Sequence, residues 1–402
     1  MINPISFSPP DITQAEIDAV VDSLRAGWIT TGPKTKDFER ELAAYCGTAR
    51  VACMNSATAC MEMALRLLGI GPGDEVITSV YTYSASAAVI DHVGAKIVFV
   101  DTEPGSFHID CEAVREAITE RTKVIMPVDI GGAMCDYARL IAIAEEKRAS
   151  FHPEGELQTA LGRICILADA AHSFGSSRGG IYSGALADIS CFSFHAIKNL
   201  TTAEGGAVTW RTFEGIDNEE IYRRLMLLSL HGQTKDALAK IQSPGAWEYD
   251  ITLTGYKCNM TDMAAALGRV QLQRFPEMLK RREQITALYD AKLLGKGITA
   301  LCHSGEGFRS NRHLYLARIE GAGEEKRNAV IRYLAERGVA SNVHFKPLPL
   351  FTAYKNLGFD IADFPNAYAQ YINEISLPLH TLLRDEDVER VCDTLLEAIR
   401  EV

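Results

Sequence analysis

Short apolar stretches alternate with helical segments along the first half of this 402-residue chain. Strands are predicted at 50–54, 75–79, 96–100, 123–128 and 164–168. Between them, helical spacing predicts helices at 57–68, 82–92, 110–119 and 136–148. This alternation is typical of βαβ units, so we expect an α/β fold with a mainly parallel central sheet flanked by helices.

The rest of the chain extends this pattern at both ends. Helices are predicted at 13–26, behind Thr13 as N-cap, and at 35–46. Beyond the first half we predict strands at 188–194 and 206–210, a long functional loop near 231–256 and a helix over 262–294. The C-terminal part has predicted strands at 314–319 and 339–344 and predicted helices at 324–337 and 385–400.

These segments predict a large α/β domain over 1–261, a connecting helix over 262–294 and a smaller C-terminal α+β domain over 295–402. The stretch 149–162 has no clear periodicity, and we interpret it as a surface insertion.

Charge and cysteine content exclude several classes of function. The chain has 41 Lys and Arg against 52 Asp and Glu, a net charge of -11, which argues against binding to nucleic acid or to an anionic membrane. The ten cysteines form no C-x-x-C pair. With no signal peptide and no apolar run of about 20 residues, the sequence predicts a cytoplasmic protein.

Ligands of open parallel sheets bind outside the carboxyl ends of the strands, so the turns there deserve most weight. Asn55–Thr58 follows the first strand and opens a helix whose free N–H groups favour a phosphate. The alternative is an ordinary Ser/Thr helix cap, which taken alone explains this turn better.

Two further turns carry ionisable side chains. Asp169 ends a buried strand, where its carboxylate would pair with a pyridinium nitrogen, although an N-cap is an equal alternative. His172 lies three residues on, and an isolated histidine is more often structural. Lys198 follows another buried strand, where its amine would react with an aldehyde cofactor unless it is a solvated loop lysine. Together the three turns predict a site for pyridoxal phosphate (PLP).

Several long motifs in these regions resemble the DegT-type sugar aminotransferases, a branch of the fold-type-I PLP enzymes. The resemblance covers nearly the whole chain and includes GWITTGPKTKDFE, NSATACMEMALRLLGIGPGDEVIT, ADAAHSFG, FSFHAIKNLTTAEGGAV, GYKCNMTDMAAALGRVQL and NVHFKPL. A finer likeness, in FHAIKN, HGQTKDA and GYKCNM, is to enzymes that aminate C4 of a UDP-linked keto sugar, including those that form UDP-4-amino-4-deoxy-L-arabinose.

This resemblance implies that Lys198 is the Schiff-base lysine, Asp169 the partner of the pyridinium and His172 the neighbour of the ring's oxygen side. Tyr83 would stack on the ring. Ala57, Thr58 and Ser193 would hold the phosphate together with Asn259 of a second subunit, which makes the predicted enzyme a homodimer with shared active sites.

The implied reaction takes an amino group from L-glutamate, releases 2-oxoglutarate and aminates a nucleotide-linked keto sugar for surface glycan or lipid biosynthesis. Lys257 and His344 are the predicted contacts for the sugar nucleotide, although a solvated surface charge is an equal alternative for Lys257. The acceptor favoured is a UDP-linked 4-keto hexose, because the insertion and the unusual turn PVDIGGAMCDY would reshape the sugar pocket. The alternatives are a UDP-4-keto-pentose, a 3-keto sugar or a non-catalytic PLP-binding regulator, and a related dehydratase would lack Lys198.

Overall fold

A computed structural model describes residues 3–235, residue 238 and residues 248–402. Its main sheet has seven strands in the order β1-β9-β8-β5-β4-β2-β3, and within it only β9 runs antiparallel to its neighbours. The strands are β1 (Val51–Met54), β2 (Glu75–Ser79), β3 (Lys96–Val100), β4 (Thr122–Met126), β5 (Cys165–Asp169), β8 (Ile189–Ser193) and β9 (Gly206–Trp210). The prediction of a mainly parallel α/β sheet is confirmed.

Helices cover both faces of this sheet because its strands are apolar on both sides. Along β1, Val51 and Cys53 belong to one buried cluster and Ala52 and Met54 to another. The helices of this part are α1 (Gln14–Arg25), α2 (Pro33–Cys46), α3 (Ala57–Leu67), α4 (Ser84–His92), α5 (Cys111–Ala117), α6 (Tyr137–Glu146), α7 (Glu156–Leu161) and α8 (Asn218–Ser229).

Helix α9 (Asp262–Leu293) leads to a second, smaller sheet of three antiparallel strands. The strands are β10 (Ile298–Ala300), β13 (Tyr315–Ile319) and β14 (Glu374–Leu377), and a third buried cluster covers them. The remaining helices are α10 (Glu324–Glu336), α11 (Thr352–Asn356), α12 (Pro365–Tyr371) and α13 (Asp385–Glu401). Four two-residue strands pair separately: β6 (Ser177–Arg178), β7 (Ile181–Tyr182), β11 (Ser304–Gly305) and β12 (Phe308–Arg309).

The prediction of a strand over 339–344 is wrong. The only pairing of Asn342 is an isolated bridge to Ser376, in the described part of the chain. The ladder stops there because the next two amides donate to side chains: the Val343 N–H to Asn342 Oδ1 and the His344 N–H to Glu374 Oε2. The strand that pairs with β13 on this side of the sheet is β14, which no prediction covered.

The stretch 149–162, interpreted as a surface insertion without clear periodicity, contains the helix α7. Leu157 and Gln158 are buried, and the Gln158 amide donates to the Leu68 carbonyl at the end of α3. Helix α8 was not predicted, although Asp217 caps its N-terminus. Residues 236–237 and 239–247 of the predicted 231–256 loop lie outside the described residues.

Among the described residues, every helix is too short or too polar to cross a membrane. All ten cysteines are free thiols, and nine of them are buried.

Candidate active site

A cleft of about 800 Å³ lies at the carboxyl ends of β1, β5 and β8. These parallel strands end at one edge of the sheet, so the turns that follow them converge. Eight of the residues predicted from the sequence line this cleft: Ala57, Thr58, Tyr83, Asp169, His172, Ser193, Lys198 and His344.

Asp169 is the last residue of β5 and its carboxyl group is buried. One oxygen accepts a hydrogen bond from the Ser86 hydroxyl (2.6 Å) and the other from the Ala171 N–H (3.1 Å). Burial raises its pKa, while the bonds from Ser86 and Ala171 and the charge of Lys198 oppose the rise. A buried carboxylate that needs a cationic partner is suited to hold a protonated ring nitrogen.

Lys198 follows β8 in a turn in which its own N–H donates to the His195 carbonyl. Burial lowers the pKa of its amine to about 8, and the nearby charge of Asp169 partly opposes this shift. In the described part of the chain the amine has no hydrogen-bond partner. A desolvated lysine of this kind is a much better nucleophile near neutral pH than a solvated one.

His172 is held as a neutral imidazole. Burial, together with Lys198 and His344, lowers its pKa well below the ordinary value. Its Nδ1 accepts a hydrogen bond from the Gly131 N–H (3.2 Å), so the proton of the neutral ring resides on Nε2. Gly131 (φ 65°) belongs to the turn PVDIGGAMCDY, which therefore orients His172.

The N-terminus of α3 closes one end of the cleft. The Ser56 hydroxyl caps this helix by accepting from the Ala59 N–H (3.1 Å), and Ala57 and Thr58 form its first turn. Gly206 makes room for the turn, since a Cβ there would lie 2.5 Å from the Ser56 carbonyl carbon. The free N–H groups, with Thr58 and Ser193, suit a phosphate.

Tyr83 is 66% exposed, more than any other large apolar side chain described. Its ring lies 6.0 Å from that of Phe345, so in the single chain these two aromatic residues flank an open side of the cleft.

Asn259 and Lys257 lie outside this cleft. The Asn259 amide donates to the Thr31 hydroxyl, and the Lys257 amine donates to the Asn259 carbonyl oxygen. Asn259 lines a separate concavity of about 460 Å³ with Thr31 and Tyr222. Neither residue therefore contacts the cleft of its own subunit.

The cleft also contains His313, which the sequence analysis missed. Its Nδ1 lies 3.0 Å from Asn199 Oδ1, and its ring lies 4.3 Å from that of His172. Burial and the neighbouring His172 lower its pKa well below the ordinary value. No local pattern marks His313, because it reaches the cleft from the segment just before β13, far along the chain.

An aspartate, a lysine and a phosphate cradle at one edge of a mainly parallel sheet define a fold-type-I PLP enzyme. The DegT/DnrJ/EryC1/StrS aminotransferase family matches residues 10–396, and the chain belongs to this family. It is a PLP-dependent sugar aminotransferase, so the alternative of a non-catalytic regulator is set aside.

Several known proteins are similar over the full length. The Streptococcus pneumoniae protein Spr1654, described as a candidate sugar aminotransferase, is 54% identical in its PMP-form and 52% in its PLP-form; in both, each chain is 99% covered with a TM-score of 0.96. The Bacillus subtilis spore coat polysaccharide biosynthesis protein SpsC is 37% identical over 403 residues, 99% of this chain and 97% of SpsC. Helicobacter pylori PseC, an aminotransferase involved in pseudoaminic acid biosynthesis, is 26% identical with TM-score 0.87 and full coverage of both chains.

Proposed function

We propose that this enzyme transfers the amino group of L-glutamate to C4 of a UDP-linked 4-keto sugar. The observation that carries the aminotransfer is that the Lys198 amine and the buried Asp169 carboxyl line one cleft and interact electrostatically. The two groups differ in charge and in task, since one is a nucleophile and base and the other an anchor for a cation.

The bound cofactor supplies an electron sink, a protonated pyridine ring that accepts the charge developing at the substrate's Cα. Asp169 keeps that ring nitrogen protonated. Lys198, once its amine is free, takes the proton from Cα of the amino donor. In the second half-reaction it delivers a proton to the carbon of the sugar that receives the amino group. Ser193, Thr58 and the first turn of α3 hold the phosphate.

The outer part of the cleft is the proposed site for the sugar nucleotide. His344, Lys346 and Phe351 line it. The Lys346 ammonium lies 4.8 Å from the centre of the Phe351 ring, which holds a cation where a diphosphate would be neutralised. The total volume is at the upper end of the roughly 300–1,000 Å³ typical of sites for one small ligand, which leaves space beside a cofactor.

The proposed acceptor is a UDP-linked 4-keto hexose of the 2-acetamido-6-deoxy type, and the product would serve polysaccharide or lipid biosynthesis. The likeness of FHAIKN and GYKCNM to C4-aminating enzymes supports this choice, and SpsC supports the role in polysaccharides. The insertion does not support the expected reshaping, because residues 149–162 contribute nothing to the described lining of the cleft. Of the turn PVDIGGAMCDY, Val128 lines it.

Enzyme loaded with pyridoxamine phosphate should react rapidly with UDP-4-keto hexoses and regenerate the absorption of the lysine-bound cofactor. The measurement is a stopped-flow comparison of UDP-, dTDP- and GDP-linked keto sugars, with glutamate driving the opposite half-reaction. We expect at least about a tenfold preference for the hexose over the pentose, because polar contacts to a ring substituent discriminate strongly.

Reaction only with a 3-keto sugar, or only with dTDP- or GDP-linked sugars, would refute the proposed acceptor. The assignment as an aminotransferase would be unaffected. Preference for the UDP-4-keto-pentose would move the enzyme to the aminoarabinose route. Failure of glutamate to convert the cofactor would refute the donor.

We further propose an obligate homodimer in which Asn259 of one subunit reaches the phosphate bound by the other. Two features support it: Asn259 and Lys257 do not line their own cleft, and the segment before them exposes Ile251 and Tyr256. Tyr83, at the open side of the cleft, is exposed in the same way. In this arrangement Lys257 would neutralise the substrate's diphosphate in the partner's site.

Mixed dimers of Lys198→Ala and Asn259→Ala subunits should regain about one quarter of wild-type activity, because random pairing gives half mixed dimers with one intact site each. The subunits would be co-expressed with different tags, and each parent dimer would be assayed alone. As a matched control, Lys198→Ala mixed with Asp169→Asn should give no rescue, since both residues serve the same subunit's site. Absence of rescue in the first pair, or a monomeric active enzyme, would contradict the shared site.

A further inference from the structure

A buried carboxyl group lies directly behind His344. The Ser376 hydroxyl is 2.8 Å from His344 Nδ1 and donates to Glu374 Oε1 (2.6 Å). The second oxygen of Glu374 accepts the His344 N–H (2.9 Å). Glu374 and Ser376 are fully buried, whereas His344 lines the cleft. A continuous hydrogen-bonded chain therefore runs from the cleft into the protein interior.

The charge of Glu374 is poorly compensated. Throughout the described ranges, no lysine, arginine or histidine forms an ion pair with its carboxyl group within 4.0 Å; Arg327 donates instead to its backbone carbonyl (3.0 Å). Burial raises the pKa of Glu374 to about 8, against the opposing effects of Ser376, the His344 N–H and Arg327. Because an unpaired buried charge is costly, this group gains and loses a proton easily near neutral pH.

The other ionisable groups around this chain are Tyr81, Lys198, His172 and His313. The Tyr81 hydroxyl donates to the His344 carbonyl (3.1 Å), and burial, together with the charge of Glu374, raises the pKa of Tyr81. On the cleft side, His344 interacts electrostatically with Lys198, and with the neutral rings of His172 and His313. Burial, then Lys198, lowers the pKa of His344 to about 4, so its ring passes protons on without keeping them.

A purely positioning role explains only part of this arrangement. To hold the backbone at His344, one acceptor for its N–H is enough. A glutamine in place of Glu374 would provide that acceptor without burying a charge. The hydroxyl of Ser376 between the carboxyl and the imidazole adds nothing to that task. Its placement links a group that stores a proton to a group that faces the cleft.

We propose that His344, Ser376 and Glu374 form a proton relay for the substrate in the cleft, an inference that rests on the proposed position of the sugar beside His344. His344 Nε2 takes a proton from a water or hydroxyl, using its lone pair. Its Nδ1–H then passes to Ser376 Oγ, and the proton of Ser376 passes to Glu374 Oε1. One proton thereby moves from the cleft to Glu374, and the imidazole and hydroxyl end neutral.

The overall exchange provides a use for such a relay. Each half-reaction replaces a C–N bond by a C–O bond or the reverse, so a water must lose protons as it adds and an oxygen must gain protons as it leaves. Lys198 is the base that removes and returns the proton on carbon. The relay is a separate carrier for the protons of the oxygen. Ser376 and Glu374 act through His344 and do not contact the substrate.

The relay reverses its hydrogen bonds when Glu374 changes its protonation state. With an ionised Glu374, Ser376 donates to the carboxylate and His344 carries its proton on Nδ1. With a protonated Glu374, the carboxyl group donates to Ser376 and Ser376 donates to His344 Nδ1. The proton of His344 then lies on Nε2, facing the cleft. The tautomer of His344 is therefore a direct readout that a merely structural glutamate would not alter.

Nitrogen NMR of histidine-labelled holoenzyme tests this proposal, with the His344 signals assigned by their loss in His344→Gln. In the wild type we expect the tautomer to change between about pH 7 and about pH 9. Glu374→Gln should hold the Nε2–H form at every pH, because its amide donates to Ser376. Ser376→Ala should also abolish the response, and both variants should lower kcat by about 10²-fold with little change in KM.

Glu336→Gln, an exposed change on α10, is the matched control and should behave as the wild type. A tautomer response that is unchanged in both Glu374→Gln and Ser376→Ala would overturn the relay, whatever their activity or stability. A wild-type His344 that keeps one tautomer across the range would overturn it as well. Failure of every keto sugar to react would instead refute the proposed acceptor and would leave the NMR response intact.

Discussion

Lys198→Ala is expected to lower turnover by at least about 10⁴-fold, the largest effect of any single substitution. The change removes both the covalent anchor of the cofactor and the base that moves the proton on Cα. The fold should persist, because the wild-type amine is desolvated and its pKa is lowered to about 8, so its removal relieves a cost of burial. PLP should still bind through the phosphate cradle and Asp169.

Three measurements check this expectation: steady-state turnover, thermal unfolding, and mass spectrometry after borohydride reduction. Reduction should fix the cofactor on the Lys198 peptide of the wild type and on no peptide of the variant. Lys198→Arg should fail in the same way, because a guanidinium stays protonated. Lys355→Ala, an exposed lysine on α11, is the control and should keep full activity. Near wild-type turnover by Lys198→Ala would rule out its assignment.

Asp169→Asn should slow the conversion of the cofactor by glutamate up to about 10³-fold. An opposite charge shifts a neighbouring pKa by about 1–3 units, and the neutral amide loses that effect on the ring nitrogen. The amide oxygen can still accept the Ala171 N–H, and the amide nitrogen can donate to Ser86. Because the carboxyl is buried and its pKa is raised, we expect the unfolding temperature to stay equal or to increase.

Single-turnover kinetics with glutamate measures the effect on the conversion of the cofactor, and calorimetry measures the effect on the unfolding temperature. Asp18→Asn, an exposed change on α1, should alter neither quantity. A fully active Asp169→Asn enzyme would mean that another group holds the ring nitrogen or that the ring works unprotonated. A destabilised variant with normal kinetics would assign Asp169 a structural task.

The family assignment rests on evidence of two independent kinds. Motifs along the chain predict it residue by residue, and the matched relatives cover nearly the full length. The donor, the acceptor, the roles of the site residues and the subunit arrangement are proposals, since they depend on contacts with molecules other than this chain.

Tertiary structure overturned the sequence-based expectation wherever side chains competed with the backbone. Residues 339–344 include the strand formers Val339 and Val343, yet the amides of Val343 and His344 bond to side chains and end the ladder. In β14, Glu374 and Ser376 alternate with Ile375 and Leu377, a pattern typical of a half-exposed strand. The protein buries both faces, because His344 and its neighbours cover the polar one.

By itself the sequence determined the parallel sheet and the position of Asp169, Lys198 and the α3 turn at its edge. That was possible because strand periodicity is local, and because the carboxyl ends of parallel strands always meet. Only the tertiary structure brought His313 beside His172 and Glu374 behind His344, through contacts between residues that are far apart along the chain. The protonation of these groups follows from burial, which no local pattern encodes.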